Sequence, residues 1–147
     1  EAGGAIQNTG LVGTAGEYVY AHPAGFVGCA SLEADEGKSG GCDLNGDGDT
    51  SDIIFRWIAA TNPAGSVLPE TDPSKLMALV TTVPGAAGDS TGGVLALGNL
   101  WVLLVDEAAD GRDHDGDPGT DNNLIGAKDP SLVGQAWNFF QIGRAHV

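Results

Sequence analysis

The chain has 147 residues, with 20 Asp+Glu against 6 Lys+Arg and a formal net charge of −14. That balance excludes nucleic acid and anionic membrane surfaces as partners, since both demand a basic face, and no apolar run approaches the roughly 18 residues of a membrane-spanning helix, so no membrane insertion is expected. Glycine supplies 24 residues, well above a usual share of roughly 7%, while 41% of the chain is apolar, enough for a modest core and against wholesale disorder. Short apolar runs separated by Gly, Asp and Pro clusters predict an all-β fold of antiparallel strands. In chain order the strands are expected at 17–21, 53–58, 76–83, 94–97, 100–105 and 136–140. In the second of these Ile53, Phe55 and Trp57 share one face and Arg56 interrupts the other. The run 100–105 is apolar on both faces and reads as a strand sandwiched inside the fold. Gly98-Asn99, just before it, is a tight hairpin signal. Pro63, Pro69, Pro73 and Pro84 discourage helices in the middle of the chain.

An internal repeat is visible. Asp43-Leu44-Asn45-Gly46-Asp47 returns as Asp113-His114-Asp115-Gly116-Asp117, and at the same spacing Thr50 meets Thr120 and Asp52 meets Asn122. Upstream, Gly16-Glu17-Tyr18-Val19 aligns with Gly98-Asn99-Leu100-Trp101 at a longer spacing, which implies an insertion in the first copy. Residues 1–140 therefore read as two partial units, each strand, acidic loop, strand, with the loops at 43–52 and 113–122. Units of this size are expected of propellers and related arrays. Cys29 and Cys42 bracket the insertion. A disulfide between them would staple it, contributing roughly 3 kcal/mol in the loop-entropy picture, and would place the protein in an oxidising, secreted or periplasmic setting. Two free thiols are the alternative.

The loop 43–52 carries the chemistry. Oxygen-bearing side chains at alternating positions, Asp43, Asn45 and Asp47, open a cation loop in which every second side chain points inward. Gly48 then permits the sharp turn that aims later carbonyls at the ion. Asp49 and Asp52 complete a hard, all-oxygen set suited to Ca²⁺, and the loop lacks the His or Cys that zinc favours. It is not an EF-hand, because Ile54 stands where the closing Glu belongs and a strand follows. A solvated cluster of turn residues is the bland alternative. The second loop offers Asp113, Asp115, Asp117 and then Asp121 or Asn122, but Pro118 replaces the turn glycine, so weaker binding is expected there. His114 is expected to point outward.

The D-x-[DN]-x-D-G pattern between two strands resembles the calcium-bearing hairpin loops of integrin alpha-subunit propellers, and is similar to the acidic loops of thrombospondin and dockerin modules. With its following apolar strand, the string at 43–52 looks most like secreted bacterial repeat proteins of the propeller type. The resemblance covers the loops and their flanking strands, about a third of the chain, and it implies a structural calcium. In the integrin pattern the closing Asp falls one position earlier, where this chain has Ser51.

Catalytic signals do not hold up. Gly88-Asp89-Ser90-Thr91-Gly92-Gly93 superficially resembles the nucleophile segments of trypsin-like proteases and of SGNH esterases. In the first, Gly must follow Ser directly, and in the second the D-x-x-H partner is missing. Asp106-Glu107 lack support as an acid–base pair, and Glu107 is instead a candidate to serve the neighbouring calcium loop. The chain opens on Glu1 without a visible signal peptide. Residues 141–147 match the translation of a common sequencing adapter, so a fragment is expected whose own sequence ends near Phe140, with Arg144 and His146 carrying no function. The expectation is a non-enzymatic, calcium-binding β repeat module of a secreted protein, structural or adhesive, with an extracellular protein or carbohydrate as ligand. The alternative is a non-catalytic accessory region of a larger secreted hydrolase.

Overall fold

A computed structural model describes residues 19–37, 40–60, 72–80, 93–116, 123–132 and 134–141. Within them the chain forms two antiparallel meanders. The first sheet has the order β1 (Val19–His22), β2 (Phe26–Leu32), β3 (Ile53–Ala59). The second has β4 (Val94–Leu97), β5 (Leu100–Asp106), β6 (Asn123–Lys128) and β7 (Asn138–Gln141). A single helical turn, α1 (Glu107–Asp110), follows β5. The all-β expectation is met. Gly98-Asn99 forms the hairpin turn between β4 and β5, with Gly98 at φ 60°, a conformation that glycine adopts without a Cβ penalty.

The strand register fixes which side chains share a face. Tyr20, Gly28 and Trp57 stand opposite one another, as do Ala30 and Phe55. This face turns toward the second sheet, whose Val94, Leu103, Gly126 and Phe139 form one row and Ala96, Trp101 and Lys128 the next. Ala30, Phe55, Trp57, Trp101, Leu103 and Val105 meet in one buried cluster, joined by Met77, Leu79 and Trp137. The Phe55 and Trp101 rings meet edge-to-face, with centroids 5.1 Å apart, and His22 lies over Trp101 at 4.7 Å. The Lys128 ammonium sits 5.2 Å from the Trp57 ring centre, a cation over a π face.

Residues 76–80 depart from the expected strand. They form a seam between the sheets, with isolated bridges from Ala78 to Ile54 and from Leu79 to Val105. Phe55 N–H donates to Met77 O and Leu79 N–H to Ile53 O on one side, while Val80 N–H donates to Leu104 O and Asp106 N–H to Ala78 O on the other. One extended segment thereby satisfies backbone groups of both sheets. Residues 81–83 of that expected strand, residues 88–92 of the Ser90 segment and residues 16–18 of the upstream alignment lie outside the described residues.

Two strands, β2 and β6, were not expected from the sequence, and each carries a glycine at its centre. At Gly28 a Cβ would stand 2.6 Å from Phe55 Cζ and 3.2 Å from Trp101. At Gly126 it would meet Trp137 and Val105 at 3.3 Å. The glycines are there for close approach of aromatic rings, not for turning the chain. The strand β5 also differs from expectation: Trp101, Leu103 and Val105 are buried, but Val102 and Leu104 on its other face are only half-buried, so it is packed on one side rather than sandwiched.

The Cys29–Cys42 pairing is corrected by the structure, in which both are free thiols, Cys29 buried and Cys42 exposed. The register of β2 puts Cys29 on the outward face, opposite Arg56, with its sulfur 3.8 Å from Ser31 Oγ. Arg56 closes over this face through a buried ion pair with Glu36 at 2.7 Å. Cys42 is tied instead through its backbone N–H to Glu33 O. Gln141, grouped by sequence with the tail, pairs with Leu124 as the last residue of β7.

Two expectations follow. Gly28→Val forces the Phe55 and Trp101 rings apart and should lower stability by about 1–3 kcal/mol in denaturant unfolding, the usual range for overpacking. Burial raises the Cys29 thiol above its ordinary pKa, so a thiol reagent should label Cys42 in the native protein and Cys29 only on unfolding.

Candidate metal centres

Each sheet delivers a glutamate to the mouth of its acidic loop. Leu32 ends β2, and Glu33 starts a 3-10 turn, Glu33–Asp35. Asp106 ends β5 and caps α1, its carboxylate accepting from Ala108 N–H at 3.1 Å and Ala109 N–H at 3.3 Å, which leaves Glu107 as the first helical residue. Both glutamates are completely buried. Glu33 Oε1 accepts from Leu44 N–H at 2.6 Å and Asn45 N–H at 3.2 Å. Glu107 Oε1 accepts from His114 N–H at 2.7 Å. In each case the other oxygen, Oε2, is buried with no hydrogen-bond partner.

Carboxylates converge on these glutamates. In the first centre ligand-capable oxygens of Glu33, Asp49 and Asp52 all lie within 4.8 Å of one another, and in the second those of Glu107, Asp113 and Asp115 do so. The expected residues thus divide. Asp49, Asp52, Asp113 and Asp115 are gathered. Asp43 is spent on the turn itself, its carboxylate accepting from Gly46 N–H at 2.6 Å and Gly48 N–H at 3.1 Å. Asn45 accepts from Asp47 N–H through its oxygen and donates through its nitrogen to Asp52 at 3.2 Å. Asp47 accepts from Asp49 N–H at 3.0 Å. In the second loop Asp113 repeats the Asp43 turn by accepting from Gly116 N–H at 2.6 Å. Asp117 and Asp121 lie outside the described residues.

Glu33 is the residue that sequence reasoning missed. Its signal was present as Leu32-Glu33-Ala34 beside Asp106-Glu107-Ala108, a Glu-Ala pair at a strand end in both halves. The link from glutamate to loop spans 11 residues in the first and 7 in the second, so the pair does not align at the spacing of the loops. His114 also differs from expectation. It turns inward, where it bonds Asp110 through Nε2 and stacks on Phe139 with ring centroids 4.2 Å apart. Buried Asp110 further takes Ala78 N–H at 3.2 Å and the Arg112 guanidinium at 2.7 Å.

The two loops touch. Asn45 Nδ2 reaches Ala109 O at 3.4 Å. A Cβ on Gly111 would lie 2.9 Å from that of Asp47, and Gly111 has φ 65° at the end of α1, so both the helix stop and the loop contact require glycine here.

Crowding governs the electrostatics. Asp52 is pushed up to about 7, first by burial and then by the charges of Asp47, Asp49 and Glu33. Glu33 is raised as well, chiefly by burial, with Asp43 adding to it against the hydrogen bonds that favour the anion. Asp49, bonded by Ser51, is lowered. The donors are all oxygen, as hard divalent cations require, with no thiol or imidazole among them. The chain matches no known protein family, no characterised protein and no solved structure.

A pH dependence follows with a definite sign. Because the folded-state pKa of Asp52 lies above the unfolded value near 3.9, the unfolded chain binds fewer protons between those limits, and stability falls as pH rises through them. In chelator the protein should therefore melt higher at pH 5 than at pH 8, and Asp52→Asn should flatten much of that slope. Thermal melts across this range check it.

Proposed function

We propose that the chain is a non-enzymatic calcium-binding β module of a secreted protein, in which Ca²⁺ neutralises and cross-links each strand-to-strand acidic loop. The observation that carries this reading is the pair of buried, unpartnered oxygens, Glu33 Oε2 and Glu107 Oε2, each beside two further carboxylates. A buried carboxylate oxygen without a partner is costly, and a cation with six to eight oxygen ligands resolves the burial and the repulsion together. Glu33, Asp49 and Asp52 hold the ion of the first centre, with Asp43, Asn45 and Asp47 shaping the loop around it. Glu107, Asp113 and Asp115 hold the second. Calcium fits better than magnesium, which demands a smaller octahedral shell and surrenders water reluctantly.

The architecture of the parent is proposed to be a β-propeller, supported by the four-stranded meander of the second sheet and the packing of one sheet on the next. The secreted location rests on the acidic composition and on the millimolar calcium that open extracellular loops commonly need, not on a disulfide. The role is structural or adhesive.

Titration calorimetry and melts in calcium and in chelator test the reading. Binding only to the folded state adds about 2.7 kcal/mol at a hundred times Kd, which for a domain this size should raise Tm by about 5–10 °C. Glu33→Gln should remove one binding event and Glu107→Gln the other, with little loss of stability in chelator because each removes a buried charge. Identical melts of the unaltered protein in calcium and chelator would reduce the loops to solvated turns.

A further inference from the structure

The two acidic loops are packing partners of each other, and one buried side chain joins them. Asn45 of the first loop is buried. Its backbone N–H donates to Glu33 Oε1 at 3.2 Å, and its Oδ1 accepts from Asp47 N–H at 3.2 Å. Its Nδ2 is shared between Asp52 Oδ2 at 3.2 Å and Ala109 O at 3.4 Å. Glu33 and Asp52 belong to the first centre, whereas Ala109 lies in α1, the single turn that begins at Glu107 of the second centre. The second loop grips that turn at both ends, His114 N–H bonding Glu107 Oε1 and His114 Nε2 bonding Asp110.

Further links run the same way. Leu44, whose N–H the Glu33 carboxylate holds, and Ala109 both pack against the small apolar cluster of Ile54, Leu76 and Ala78. Ala78 O accepts from Asp106 N–H and Ala78 N–H donates to Asp110, while Leu79 N–H donates to Ile53 O, next to Asp52. The strand end carrying Asp52 and the turn carrying Glu107 are thus fastened to the same two residues. In each ion-free centre carboxylates crowd a buried oxygen that has no partner, Glu33 Oε2 or Glu107 Oε2, and their repulsion favours an opened loop. Opening the first loop withdraws Asn45 from Ala109 and leaves α1 without that support. Opening the second loosens α1 and takes the acceptor away from Asn45. Closing either loop therefore does part of the work of closing the other.

We infer that the two centres are positively coupled, occupation of one raising the affinity of the other through the contact between Asn45 and Ala109. The coupling rests on calcium being the ion of both centres. Two effects oppose each other. An ion in one centre lowers the negative potential at the other, which weakens binding there, and salt screens this effect over about 8 Å at 0.15 M. The hydrogen bonds are buried and are screened much less, and a loop already closed no longer has to be ordered by the incoming ion. Closure therefore outweighs the field. Linkage makes the effect mutual, each ion raising the affinity for the other by the same factor.

Calorimetric calcium titrations of the whole chain test it with the first centre disabled, so that the second alone reports. Glu33→Gln keeps an oxygen for the Leu44 and Asn45 N–H groups and removes the charge, so the first loop stays closed without an ion. Glu33→Asp keeps the charge but is one methylene shorter, so it releases those N–H groups and the loop opens. The second centre should bind calcium about five-fold or more tightly in Glu33→Gln than in Glu33→Asp. The field alone dictates the reverse order, since Glu33→Asp is the more negative. Adding Asn45→Ala to Glu33→Gln changes no charge and alters no carboxylate of the second centre, yet it should weaken calcium binding there by a similar factor. That second comparison decides the matter if Glu33→Asp fails to fold. Equal affinity with and without Asn45, or tighter binding in Glu33→Asp, would overturn the coupling while leaving calcium binding intact. A parent chain that takes up no calcium defeats the calcium reading itself, and the coupling with it.

Discussion

The buried glutamates, Glu33 and Glu107, are where fold and site become one problem. Each is planted directly after an interior strand, and its Oε1 takes backbone N–H groups of the loop that follows. That bond draws the acidic loop back over the end of its own sheet, so the carboxylates of the loop have no choice but to crowd the remaining oxygen. Moving the glutamate to the surface would relieve the crowding but release the loop. The burial that raises the pKa of Glu33 is thus the same burial that organises the connection between β2 and β3.

The loops are also held to each other and to the seam between the sheets. Asn45 and Asp47 of the first loop lie against Ala109 and Gly111 at the end of α1. Arg112 donates to Leu76 O at 2.7 Å while pairing with Asp110, and Asp110 in turn accepts from Ala78 N–H. Residues 76–80 bond to both sheets. A cation in either loop would therefore act on a contiguous set of hydrogen bonds that reaches both sheets, which is the physical sense in which the proposed ion would serve more than its own loop.

Much of the architecture was legible because it rests on local rules. Alternation of side chains placed Ile53, Phe55 and Trp57 on one face, and the aromatic cluster lies there. Gly98-Asn99 announced its hairpin, and the density of acid at 43–52 and 113–122 announced two crowded loops. What was illegible depended on partners distant in sequence. The strands β2 and β6 were not expected, because nothing near Gly28 and Gly126 in the sequence reveals the rings of Phe55, Trp101 and Trp137 that occupy the space a side chain would need. Cys29 and Cys42 suggested a staple by their spacing, whereas strand register decided which face Cys29 takes. His114 looked outward by its place in the loop, and Phe139 and Asp110 drew it in.

By itself the sequence determined that this is an acidic, turn-rich β protein with two clusters of oxygen donors, because charge, glycine content and side-chain alternation are properties of neighbouring residues. Only the tertiary structure decided which carboxylates meet. It paired Asp49 and Asp52 with Glu33, and Asp113 and Asp115 with Glu107, and set Asp43 and Asn45 to closing the turn. The reason is geometric: a cation site needs oxygens converging within a few ångströms, and it is the burial of a strand end, not the spacing of residues along a loop, that sets the point on which they converge.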